Sequence, residues 1–153
     1  MSEHPRSRAV IRAALIAAAL TLSPAASGST APVALGRTTL GAETRGAEAR
    51  DAFRGVVAHE LDELALERVR ASDRFVLSAT LMRLEVTARD DEAEATCVVS
   101  VTLSRARGGA LHAIIRGRAR AVDAPSRSRD AGLAALTHAV RSAMRQVPEA
   151  IRR

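Results

Sequence analysis

The sequence predicts an α+β fold in which a three- to four-stranded, mainly antiparallel sheet carries two helices on one face. Three observations lead there. Two neighbouring stretches, 94–105 and 110–122, alternate apolar and polar residues with the period of a strand and are joined by Arg107-Gly108-Gly109. A third apolar stretch, 74–87, precedes them across the acidic turn Arg89-Asp90-Asp91-Glu92, so three consecutive strands form a meander. On either side of this meander, over 47–69 and 129–147, apolar residues recur at helical spacing.

The amino-terminal residues read as an export signal. Arg6, Arg8 and Arg12 precede an apolar run over 13–22, and the small residues Ser23-Pro24-Ala25-Ala26-Ser27 follow it. That run is about ten residues long, and a bilayer-spanning helix needs about twenty. Residues 1–27 are therefore expected to be a cleaved secretory signal peptide. Its removal takes away three arginines and Glu3, lowering the net charge from +6 to +4. Residues 28–46 read as a flexible segment, rich in Gly, Ser and Thr, in which 32–36 offers a short edge strand. The remainder, 47–153, is the α+β domain.

In the first helix Phe53, Val56, Val57, Leu61, Leu64 and Ala65 share a face, with Glu48, Arg50, Asp51, Asp62, Glu63 and Glu67 between them. Strand 74–87 places Phe75, Leu77, Ala79 and Leu81 on one side but Leu84 and Val86 on the other, which predicts an irregularity near Met82-Arg83. In the next strand Ala95, Cys97, Val99, Val101 and Leu103 form the apolar side, while Thr96, Ser100, Thr102 and Ser104 form the polar one. The last strand alternates Leu111, Ala113, Ile115, Gly117, Ala119 and Ala121 with His112, Ile114, Arg116, Arg118 and Arg120. Its small residues Gly117, Ala119 and Ala121 would let a helix approach closely. Ser128 is a candidate N-cap for the second helix, Asp130 suits its first turn, and Pro148 marks its end. Its buried face is read as Leu133, Leu136, Val140, Ala143 and Val147.

Composition limits the core and the chemistry. The chain has 153 residues, no Trp or Tyr and two Phe, so aliphatic side chains must fill one core. Every basic residue is Arg, a bias that lowers the weight of the strongly basic balance as a sign of any one ligand. The single Cys97 lies on the inward side, where it acts as a small hydrophobe. His59-Glu60 begins like a zinc-protease helix, but Glu63 stands where that motif needs a second His. The acidic turn lacks the spacing and Gly of a calcium loop. No nucleophile motif, phosphate loop or dinucleotide fingerprint occurs. The expectation is a non-enzyme without metal or cofactor.

Arg116, Arg118 and Arg120 remain as the candidate binding residues. Two apart on one strand, they project to one side about 6–7 Å from each other. Such a row suits carboxylates, phosphates or anionic lipid head groups. Nucleic acid is disfavoured, because open-sheet readers of single strands stack bases on aromatics and this face has none.

Val33-Ala34-Leu35, followed by a helix, a three-strand meander and a helix, with Gly117-Arg118-Ala119 in the last strand, resembles the small periplasmic α/β accessory domains of envelope assembly and transport, including curli-secretion and lipopolysaccharide-assembly lipoproteins. The resemblance covers 32–147 and implies an envelope location and protein partners; the lipid-accepting Cys of those lipoproteins is missing, and no functional residue is carried over. The expected function is an exported, periplasmic or secreted, non-catalytic binding or accessory module of the bacterial envelope. The alternatives are an anion-binding protein, for lipid head groups or polyanions, using the arginine row, and a hydrolase built on His59 or His112.

Overall fold

The computed structural model describes residues 31–41, 47–64, 66 and 73–153; the expected signal peptide, 1–27, lies outside them, as do residues 42–46. The order is β1 (Val33–Leu40), α1 (Ala47–Asp62), β2 (Phe75–Ala88), β3 (Ala93–Arg105), β4 (Leu111–Asp123), a 3-10 turn (Pro125–Arg127), α2 (Ser128–Met144) and α3 (Val147–Arg152). The fold is α+β. The four strands lie in the order β1-β2-β3-β4, with β2, β3 and β4 antiparallel and β1 parallel to β2. Parallel neighbours need a crossover, and α1 supplies it. The edge strand expected over 32–36 thus exists, and it extends to Leu40.

The core lies between the helices and one sheet face. Phe53 and Val57 of α1, Leu77 and Leu81 of β2, Val99, Val101 and Leu103 of β3, and Val140 and Met144 of α2 are fully buried there. Each such side chain contributes about 1.5–3 kcal/mol relative to exposure, and the core is mainly aliphatic, with Phe53 and Phe75 as its aromatic members. The odd-numbered residues of β3 from Ala93 to Leu103 are buried, as the alternation predicts, and only Arg105 at the hairpin end is exposed.

Two bulges set which residues reach that core. In β2 the register steps between Leu81 and Arg83, leaving Met82 unpaired; beyond it the parity reverses, and Leu84 and Val86 pair with Cys97 and Ala95 on the helix side. In β4 a second step makes Leu111 the partner of Ser104 and Ala113 that of Leu103. Leu111, read from sequence as inward, therefore lies on the outer face and is 61% exposed, because His112 takes the extra position. The hairpin between β3 and β4 closes with Arg105 N–H donating to Ala110 O at 2.9 Å. Gly108 and Gly109 both take positive φ there, 79° and 64°, which suits residues without a Cβ.

Helix limits differ from the apolar pattern for physical reasons. α1 stops at Asp62 rather than running to 69, because Leu64 and Leu66 both pack against the core, a spacing of two that a helix cannot serve. α2 begins at Ser128, with Arg127 in the N-cap position and no side-chain cap; Asp130 in the first turn accepts from Arg127 Nε at 3.0 Å. It ends at Met144, and Pro148 opens α3 instead of closing α2, since a first-turn proline gives up an N–H that has no helical acceptor. Leu133 is 51% exposed; the buried stripe of α2 is mainly small, with Ala131, Gly132, Ala135, Ala139 and Ala143 beside Leu136, Val140 and Met144.

That stripe explains the small residues of β4. A Cβ on Gly117 would lie 2.0 Å from Ala139 O and 3.0 Å from Ala143 Cβ, so α2 rests on β4 almost backbone to backbone. α1 is tied to α2 by Glu60, whose carboxylate is buried and accepts from Arg141 Nε at 3.1 Å and Nη2 at 2.7 Å. This hydrogen bond, reinforced by the Glu60 charge, raises the Arg141 pKa above its ordinary value.

Candidate functional site

With the core on one side, the even-numbered residues of β3 and β4 define the outer face of the sheet. Strand register fixes its rows. Arg116 lies opposite Ser100, then Thr80 and Thr39; Arg118 lies opposite Val98 and then Arg83; Arg120 lies opposite Thr96 and then Glu85. Toward the hairpin, Ile114 lines up with Thr102 and Ser78, and Leu111 with Ser104 and Val76. The centre is hydroxyl-rich. Thr39 and Thr80 share a hydrogen bond of 2.9 Å between their hydroxyls.

Arg116, Arg118 and Arg120 are all exposed on this face. They do not share one environment. Arg120 is held by Glu94, with Nε–Oε1 at 2.7 Å and Nη2–Oε2 at 2.8 Å. Arg83, brought to the outer side by the β2 bulge, pairs with Glu85. Among the described residues, no carboxylate pairs with Arg116 or Arg118. The exposed apolar side chains Leu111, Ile114 and Val122 lie along the same strand, so β4 presents aliphatic and cationic groups together. Sequence alternation located Ile114 and the three arginines but missed Leu111, Arg83 and Glu85. The signal for Arg83 and Glu85 was the parity break at Met82, whose consequence for the outer face follows only from the register.

The other candidates stand apart from this face and from each other. His59 and Glu63 are exposed at the end of α1. His112 turns the opposite way from the arginines: its Nε2 is 3.0 Å from Ala150 O, and its ring lies 4.9 Å from that of Phe75. Cys97 is buried, and burial pushes its thiol up to about 12. Among the described residues no group of three or more His, Cys, Asp and Glu side chains is placed to hold a metal ion. A groove of about 460 Å³ lies between the start of β1 and the end of α1, lined by Pro32, Val33, Leu35, Ala58, Leu61 and Leu64 among others; among the described residues Asp62 is the one ionisable side chain that lines it. No described helix is long and apolar enough to cross a membrane.

No family model matches the chain, and no curated protein matches it. Solved structures that are similar in fold include a presumed lipoprotein from Caulobacter crescentus, 15% identical, covering 80% of this chain and 89% of that one at a TM-score of 0.48. A hypothetical protein from Chlamydia trachomatis is 13% identical, with coverage of 78% and 97% and a TM-score of 0.49. A minor lipoprotein from Acinetobacter baumannii is 14% identical, with coverage of 74% and 92% and a TM-score of 0.42. These are distant likenesses of fold.

Proposed function

We propose that this chain is an exported, non-catalytic binding module of the bacterial cell envelope that contacts a protein partner through the uncovered face of its sheet. One observation carries the reading: the described helices lie on one side of the sheet, and the other side exposes Ile114, Leu111 and Val122 beside cationic side chains. A surface that only had to remain dissolved would gain nothing from aliphatic groups at those positions, whereas apolar contacts framed by arginine are the usual make-up of a protein interface. The amino-terminal sequence supports export.

The test is site-specific photo-crosslinking in envelope preparations, with the photoreactive residue at Ile114 or, as control, at His138 on the exposed side of α2. A discrete adduct from Ile114 that is missing from His138 is the expected result. Adducts from His138 alone, or turnover of a substrate by the purified protein, would overturn the reading. A second reading, binding of anionic lipid or another polyanion, is favoured by Arg116 and Arg118, which have no acidic partner among the described residues. It predicts salt-sensitive binding to anionic vesicles that disappears when both arginines become serine.

A further inference from the structure

We infer that the partner is an extended acidic polypeptide segment, which adds to the free edge of β4 as a fifth strand and sets alternate carboxylates beside Arg116 and Arg118. The inference rests on the reading of the outer face as a protein-contact surface and goes beyond it by naming the edge, the conformation and the charge of what binds. β4 is the terminal strand of the sheet, and among the described residues no strand pairs with its far side. Near its start His112 meets Ala150 O of α3. An edge of this length presents a row of backbone donors and acceptors to any extended chain.

The charges match such a chain in spacing. Arginines at every second position recur about every 6.7 Å, which is the repeat of alternate side chains on a neighbouring strand, so acidic residues at every second position would stand opposite them in register. Arg116 and Arg118 have no competing carboxylate among the described residues, and Arg120 is already committed to Glu94.

Other occupants fit less well. A second copy pairing antiparallel through β4 would set arginine against arginine, a like-charge contact that opposes the pairing. The β1 edge is shorter and carries a register step between Leu35 and Thr38; its one arginine, Arg37, lies at that step, so it offers no row of cations at alternate positions. A nucleic-acid strand would find no aromatic platform, since Phe53 and Phe75 are both buried. For a nucleic acid or an anionic bilayer, Glu85 and Glu94 would stand within the contact area.

The experiment uses fluorescence anisotropy with three synthetic peptides of about ten residues, a length suited to one strand. The first alternates glutamate with valine; the second has the same composition with its glutamates grouped at one end; the third is the first with N-methyl groups on alternate backbone amides. Binding of the alternating peptide should weaken about tenfold in the double variant Arg116→Ser/Arg118→Ser, the loss expected for two exposed ion pairs near the upper end of their range. It should be unchanged in Arg145→Ser, which removes a like charge from the helix side. The grouped and N-methylated peptides should bind at least tenfold more weakly, and amides of residues 113–122 should gain exchange protection with the alternating peptide. Equal binding of all three peptides, or tighter binding of anionic vesicles or single-stranded DNA, would overturn the inference. If the peptides fail while Ile114 still yields its specific adduct, the edge assignment falls and the contact-face reading stands; loss of both removes both.

Discussion

The inner and outer faces of this sheet are built from adjacent residues of the same strands, yet different physics governs them. On β4, Gly117 is buried beneath Ala139, while its neighbours Arg116 and Arg118 are exposed. The inner face is constrained by volume, since α2 sits so close that even a methyl group has no place. Among the described residues nothing packs over the outer face, and its ion pairs at Arg83–Glu85 and Arg120–Glu94 are of the exposed kind that contribute little to stability. Stability therefore resides on one side.

Substitution can break or sharpen that contrast. Leu103→Ala on the inner side of β3 should cost about 3 kcal/mol in denaturant unfolding, whereas Thr102→Ala next to it should change stability by no more than about 0.5 kcal/mol. Gly117→Ala should cost about 2–3 kcal/mol, because either α2 or β4 must move; Arg118→Ser one residue on should stay within about 0.5 kcal/mol. If Arg118→Ser proved as damaging as Gly117→Ala, the division between the faces would be wrong. Between the helices, Arg141→Ala should lower the melting temperature more than Glu60→Gln, since the first leaves a buried carboxylate without its guanidinium while the second removes the charge itself.

The effect at Cys97 shows only at alkaline pH. With its folded-state pKa raised from 9.0 to about 12, the thiol stays protonated in the native protein when the unfolded chain has begun to ionise. Its contribution is unchanged below about pH 9 and turns unfavourable above it, so stability should fall between pH 9 and 12, and Cys97→Ala should lessen the fall. At neutral pH a thiol reagent should label the native protein slowly and the unfolded protein at the ordinary rate; fast native labelling would show that the inner face opens to solvent.

Much of the fold was legible because a strand with one buried face records its geometry in alternate residues. The β3 and β4 alternation, the Gly108-Gly109 reversal, the break near Met82 and the small residues at Gly117, Ala119 and Ala121 each have a local cause. Leu111 was misread because a bulge at His112 changes parity without changing composition. Leu133 was misread because helical periodicity counts large apolar residues, while α2 packs through alanine and glycine. The Glu60–Arg141 pair could not be read at all: its members are 81 positions apart, and nothing local distinguishes them from other charged residues of their helices.

For the candidate site, spacing in the sequence was enough to put Arg116, Arg118 and Arg120 on one side of one strand. Which of them is neutralised was decided by the partner strands, through Glu94 on β3 for Arg120 and through the β2 bulge that swings Arg83 and Glu85 onto the same face. Local periodicity determined the strands, the hairpin and the sidedness of the arginines, because each depends on bonds and sterics within a few residues. The parallel placement of β1, the end of α1, the approach of α2 to Gly117 and the exposure of the outer face were decided by tertiary structure, because they depend on which surfaces meet after the chain has turned back on itself.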